Sequence, residues 1–285
     1  MRALPWLLGL VTASGLFCAC GGSSVASGDL AKAATMTAQV RSYSVTTTTS
    51  MNLPGSAQPV TFTGQGSFAP RARRGRMTLD MSQLNQVLGP QGSPYNFGYA
   101  QLVLAGTDLY MRLPFLRQLS PQLKPWIKIN LGAAGKAAGI DFSSFLQFGQ
   151  GGDPTQSLQF LRAAGRLRKL GTDSVRGVPT THYGATIELA QVAKAVPARL
   201  RPELQKTVDQ LVKLTGERSI PVEVWVDRQG LVRRESYTET LTLRGQPTRL
   251  QNSMELYDFG VPVIAPLPPA ADVTDLTGAP TGSPS

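Results

Sequence analysis

The sequence predicts an α+β fold built on one large antiparallel sheet, curved by its own twist, with helices covering its concave face. Three observations lead there. Segments with a two-residue apolar period outnumber segments with a helical period by about eleven to four. Short links containing Gly or Pro join most neighbouring strands, as in hairpins, and the helices come in blocks instead of following each strand. A sheet of that length curls as its twist accumulates. With 41 % apolar and 16 % charged residues among 285, the chain has the means to build a core.

Residues 1–19 read as an export signal. Arg2 is followed by an apolar run from Leu4 to Phe17, about 14 residues, against the ~20 that a spanning helix needs. The segment Phe17-Cys18-Ala19-Cys20 resembles a bacterial lipobox, which makes Cys20 the acylated first residue of the mature protein and places the chain on the outer face of the cell membrane. The alternative is a secreted protein that simply loses its leader. Residues 20–28 (CGGSSVASG) are small and polar, a flexible tether with a span of roughly 16 Å. The chain carries 28 Lys+Arg against 18 Asp+Glu; losing residues 1–19 removes only Arg2 from that balance, leaving a net charge of +9. Export rules out nucleic acid as the anionic partner and leaves anionic lipids or envelope polymers.

The folded domain is expected over residues 29–265. Asp29 is placed to cap a helix running to about Ser42, with Leu30, Ala33, Ala34 and Ala38 on one face. Strands follow at Tyr43–Met51, Val60–Phe68, Arg76–Met81, Tyr99–Ala105, Leu109–Leu113 and Trp126–Asn130. The link before Trp126 holds Pro114, Pro121 and Pro125. Asp153-Pro154 opens a short helix ending near Gly165, with Leu158 and Leu161 on one side. Strands Leu170–Val175 and Thr180–Ile187 come next. After them stand helices Glu188–Val196 and Pro202–Thr215, then strands Pro221–Asp227, Leu231–Leu243 and Thr248–Phe259. The Pro/Ala/Thr/Gly-rich tail, 266–285, is expected to be extended or disordered.

Several motifs in this order resemble the actinobacterial LppX/LprAFG-type lipoproteins, whose fold is similar to that of LolA and LolB. They are Asp108-Leu-Tyr-Met, Lys124-Pro-Trp-Ile-Lys128, Gly177-Val-Pro-Thr-Thr-His-Tyr183, Val222-Glu-Val-Trp-Val-Asp227 and Tyr257-Asp-Phe-Gly-Val-Pro262. The resemblance spans about Leu30 to Leu276, and it is the order and spacing of the motifs that carries it. It implies a half-barrel sheet wrapped around helices, an apolar cavity for a lipid or lipoglycan, and lipid transport.

Physical chemistry supplies a separate reason for such a carrier: two ~16-carbon chains carried bare through water expose about thirty CH₂ groups, on the order of 25 kcal/mol. Candidate cavity residues are Met77, Leu79, Leu104, Met111, Leu158 and Leu161, which read equally well as ordinary core. Candidate contacts to anionic headgroups, of the membrane or of a cargo, are Arg71, Arg73, Arg74 and Arg76. A second basic group, Arg162, Arg166, Arg168 and Lys169, follows the Asp153 helix.

Catalysis is not expected, nor is a metal or cofactor. His182 is the only histidine, and no G-x-S-x-G or H-E-x-x-H is present. Glu223/Asp227 and Glu235/Glu239 are each four apart on strands, about 13 Å, beyond the ~5–9.5 Å of glycosidase pairs. The sequence therefore predicts a membrane-anchored, non-catalytic protein that binds or carries amphipathic envelope lipids. The alternative is an interaction or sensor lipoprotein whose core is filled.

Overall fold

The computed structural model of the protein describes residues 29, 30, 32, 33, 36, 37, 39–52, 58–85, 97–133, 167–192, 201–243 and 246–277. Twelve strands form one sheet: β1 (Tyr43–Met51), β2 (Val60–Ala69), β3 (Arg74–Asp80), β4 (Tyr99–Ala105), β5 (Asp108–Arg112), β6 (Trp126–Asn130), β7 (Arg168–Val175), β8 (Val178–Glu188), β9 (Ser219–Asp227), β10 (Val232–Leu243), β11 (Gln246–Tyr257) and β12 (Val273–Asp275). Their spatial order is β12-β6-β5-β4-β3-β2-β1-β11-β10-β9-β8-β7. Two meanders, β1–β6 and β7–β11, thus meet along a single seam between β1 and β11, where Val45 faces Leu256 and Thr49 faces Asn252.

Hairpin chemistry explains the connections. Between β7 and β8 the two-residue loop Arg176-Gly177 has positive φ at both positions, 51° and 77°, the condition of the tight turn whose twist matches that of the strands. Between β9 and β10 the Asp227 carboxylate accepts from the backbone N–H groups of Gln229 and Leu231, both at 2.9 Å, while Gly230 takes φ 80°.

Alternation gives the sheet two unlike faces. One carries the core: Tyr43, Val45, Tyr183, Ala185, Val222, Val224, Val226, Val232 and Leu256, packed with Leu30, Ala33 and Leu167. Residues 29, 30, 32, 33, 36, 37 and 39 are helical, and the Thr37 hydroxyl accepts from the Val232 N–H at 3.0 Å inside this core. Fully burying each such aliphatic side chain contributes about 1.5–3 kcal/mol. Helices Leu189–Val192 and Arg201–Thr215 add a second cluster, Leu189 and Val208 against Ile187, Ile220 and Val212. The helix expected over Asp153–Gly165 lies outside the described residues.

Three expectations need correction. The link after β5 contains a helix, Pro114–Leu119, with proline in its first turn, where the missing N–H costs nothing. The tail, expected to be extended or disordered, also joins the sheet: after residues 261–269, which form no helix or strand, a 3₁₀ turn at Ala270–Asp272 leads into β12. That strand makes the sheet mixed at one edge, because β12 pairs with β6 in parallel, Val273 facing Trp126 and Asp275 facing Lys128. A Lys128–Asp275 ion pair of 2.6 Å holds it, and the Lys128 ammonium brings the Asp275 carboxyl down to about 2, with help from Thr277.

Candidate functional site

Cross-strand register assigns every strand residue to a face. Gly64 faces Leu79, Gly66 faces Met77 and Gly75 faces Phe68. Gly75 in turn faces Leu104, Met77 faces Leu102 and Leu79 faces Ala100. Leu102 then meets Met111, and Leu104 meets Leu109, with Ile127 and Ile129 opposite Met111 and Leu109. Of the candidate cavity residues, Met77, Leu79, Leu104 and Met111 therefore lie together on the core face of β3, β4 and β5. All four are half-buried, unlike the sealed cluster on β1 and β8–β11. Leu158 and Leu161 lie outside the described residues, as does Cys20.

Glycines on β2 and β3 let neighbouring groups close in over this face. A Cβ on Gly75 would stand 2.1 Å from the Phe68 ring, and one on Gly66 would stand 2.3 Å from the Arg76 carbonyl oxygen. The Phe68 ring thus takes up the space that a side chain at position 75 would need.

The same face on β10 is polar, which sequence reasoning missed. Glu235 faces Met254, Tyr237 faces Asn252 and Glu239 faces Leu250. Glu235 is 6 % exposed. Burial raises the Glu239 carboxyl above its ordinary value, and the neighbouring Glu217 carboxylate adds to the shift. Burial likewise lifts the Tyr237 phenol to about 12, helped by Glu239 and Glu235. The signal was present in the strand itself, since Glu235, Tyr237, Glu239 and Leu241 share one parity.

A raised native carboxyl stabilises the fold fully below the ordinary value and loses that contribution as pH rises through the raised one. Glu239→Gln is thus expected to raise the thermal midpoint at pH 7 and leave it unchanged at pH 3, as read by calorimetry. An equal shift at both values would refute the assignment.

Arg74 and Arg76 alternate with Gly75 and Met77, so they leave the sheet on the opposite, outer face. The candidate cavity and the candidate headgroup contacts are therefore on two different sides. Arg71 and Arg73 occupy the β2–β3 connection, where a 3₁₀ turn Pro70–Ala72 ends with Arg73 at φ 46°. Of the second basic group, Arg168 and Lys169 are exposed on β7, and Arg162 and Arg166 lie outside the described residues.

Elsewhere the outer face carries a ladder of polar side chains. His182 stacks on Trp225 with centroids 4.2 Å apart and meets Glu223 Oε2 at 3.1 Å. Trp225 Nε1 donates to Asp173 at 2.9 Å. Arg234 and Arg176 both grip Glu255, at 2.6 and 2.8 Å, and Arg176 lies 3.8 Å above the Tyr257 ring. Burial pushes the Glu255 carboxyl up, but hydrogen bonds from Arg234 and Arg176 outweigh it and hold the group below its ordinary value. These groups tie β1 and β7–β11 to one another across the surface.

Beside the ladder, Thr172, Asp173, Pro179, Thr180, Thr181, Val226 and Arg228 line a recess of about 370 Å³. Its hydroxyls and charges do not suit an acyl chain. Among the described residues no group of three or more His, Cys, Asp or Glu side chains stands close enough to hold a metal. No helix among them is long and apolar enough to cross a membrane.

One large, open, curved sheet of this kind is similar to the fold of the bacterial lipoprotein LppX. The chain aligns with lipoprotein LppX of Mycobacterium tuberculosis over 85 % of its own length and 99 % of that chain, with a TM-score of 0.50 at 11 % identity. In sequence it is 30 % identical over 154 residues to an uncharacterized 31.2 kDa protein from the rplA–rplJ intergenic region of Streptomyces griseus, covering 53 % of this chain and 48 % of that one. It is 27 % identical over 154 residues to a putative lipoprotein of Streptomyces coelicolor, covering 53 % and 42 %. The chain thus spans about half the length of the curated relatives it matches. No family profile matches it.

Proposed function

We propose that the protein is a lipoprotein acylated at Cys20, held on the outer face of the cell membrane, that binds or carries an amphipathic envelope lipid against its core face without catalysis. The observation that carries this reading is the apolar face running from β2 to β6, where Met77, Leu79, Leu102, Leu104, Leu109 and Met111 are aligned by register but only half-buried. Such a face offers an acyl chain apolar contact worth ~25 cal/mol for each Å² removed from water. The lipobox-like Phe17-Cys18-Ala19-Cys20 and the lipoprotein names of the Streptomyces coelicolor relative and LppX support the anchor.

The alternative, an interaction lipoprotein with a filled core, draws on the sealed cluster that Leu30 and Ala33 complete over β1 and β8–β11. The two readings differ in one measurement. Protein purified from a bacterial envelope is expected to carry a lipid adduct by native mass spectrometry and to take up a fluorescent acyl probe. Met111→Glu, on the core face, should lower uptake at least tenfold, because a carboxylate among acyl chains must stay hydrated. Arg112→Glu, one residue on and facing outward, should leave uptake unchanged. A lipid-free mass together with no uptake would reject the carrier and favour the filled core.

A further inference from the structure

Four arginines fall within six residues where β2 turns into β3: Arg71, Arg73, Arg74 and Arg76. All four are exposed. The ion pairs formed among the described residues use Lys128, Arg176, His182, Arg233 and Arg234 instead, so among those residues none neutralises this group. Its backbone is fixed: the Arg73 N–H donates to the Pro70 carbonyl at 3.0 Å, and the Gly106 N–H donates to the Arg73 carbonyl at 2.8 Å, tying in the β4–β5 turn.

The segment after β11 passes this same end of the sheet. The Gly260 N–H donates to the Ser42 carbonyl at 2.8 Å, the Ser42 hydroxyl donates to the Val261 carbonyl, and Arg74 Nη2 donates to the Ala265 carbonyl at 3.1 Å. Ala265 is buried beneath that contact. Its neighbours in sequence face the other way: Ile264 is 72 % and Leu267 51 % exposed, one and two residues from the pinned carbonyl and hence within about 8 Å of chain. The result is an exposed aliphatic pair on a strap that Arg74 holds, beside the exposed guanidinium groups of Arg71, Arg73 and Arg76.

We infer that this end of the sheet is a membrane-docking face, with the arginines on the phosphates of anionic lipids and Ile264 and Leu267 inserted at the boundary between headgroups and acyl chains. Guanidinium groups bind phosphate through paired hydrogen bonds, and an apolar pair beside a polybasic group is the composition that an anionic bilayer retains. A cargo lipid on the core face is not the source of those phosphates, because Arg74 and Arg76 project from the opposite side to Met77 and Leu79. The inference goes beyond the carrier reading and does not depend on it. An acyl chain at Cys20 keeps the domain near the bilayer, and this face gives it an orientation.

The test uses the chain from Gly21 onward, which keeps every described residue and removes leader and acyl anchor together. Mixed with sedimenting vesicles, it is expected to partition onto phosphatidylglycerol-containing bilayers, more weakly as salt rises, and to ignore pure phosphatidylcholine. The triple variant Arg71→Gln/Arg73→Gln/Arg76→Gln spares Arg74, which holds the strap. It should bind about a hundredfold more weakly, at roughly fivefold per arginine. Ile264→Ser/Leu267→Ser should weaken partitioning about tenfold or more, and Ile264→Trp should show blue-shifted emission only with the anionic vesicles. Failure to bind phosphatidylglycerol, or unchanged partitioning of both multiple variants, overturns the proposal and assigns the face to a protein partner. Acyl-probe uptake is measured alongside on the unsubstituted chain: vesicle binding without uptake counts against the carrier alone, and uptake without vesicle binding counts against this face alone.

Discussion

Asp227→Ala is expected to destabilise the protein by about 3–5 kcal/mol, the usual cost of removing one partner of a buried ion pair. The Asp227 side chain is 4 % exposed and meets Arg233 Nε at 2.6 Å, while its other oxygen accepts from the N–H groups of Gln229 and Leu231. The substitution leaves a guanidinium that is 15 % exposed without its counter-charge and strips the β9–β10 turn of two acceptors at once. Arg233 also lies 4.7 Å over the Phe259 ring, so it has little freedom to swing to water. Asp227→Asn retains an acceptor for the turn and should cost less. Urea denaturation checks both variants; a loss below about 1 kcal/mol for the alanine would show that solvent reaches Arg233 after all.

Leu256→Ala is expected to cost about 2–5 kcal/mol, from lost transfer energy plus the cavity left behind. Leu256 is 0 % exposed, and on the seam it faces Val45, itself 1 % exposed. Leu104→Ala, on the half-buried stretch of the same face, should cost markedly less, about 1 kcal/mol, because part of its surface is already wet. The difference between the two is the measurement that matters. Equal losses would mean that both halves of the core face are sealed, leaving no apolar surface for a lipid.

Much of the fold was legible as alternation. β1, β4 and β6 form at the bounds their pattern predicts, and the β7–β8 turn falls at Arg176-Gly177, where only the glycine is suited to a left-handed backbone. β12 was not legible. Three residues, Val273–Asp275, carry no readable period, and they become a strand through contacts distant in sequence: the Lys128–Asp275 pair and the Lys124 N–H donating to the Thr274 hydroxyl at 3.0 Å. The Pro114 helix was read as linker because three prolines mask its single turn and a half.

For the candidate site, odd and even positions already separate Met77 and Leu79 from Arg74 and Arg76. What alternation does not report is how tightly each stretch of one face is covered. Tyr43 on β1 and Leu79 on β3 lie on the same face of one meander, yet one is sealed in the core and the other is half-buried. Coverage depends on which helix packs where, and that is a matter of three-dimensional closure. Separation alone discounts Glu235 and Glu239 as a catalytic pair; that Glu235 is buried and that Glu217 stands near Glu239 are readable only in the folded arrangement.

The strand made first waits longest for its second neighbour. Thr49 bonds to Asn252, 203 positions further along, and Thr46 to Tyr257, 211 further along, so a polypeptide emerging from its N-terminus holds one margin of β1 bare until nearly all the rest has followed. Ordering contacts of that span is slow. During this interval the lone meander is a sticky ribbon, and a chaperone or protease that meets the nascent chain has its opportunity there.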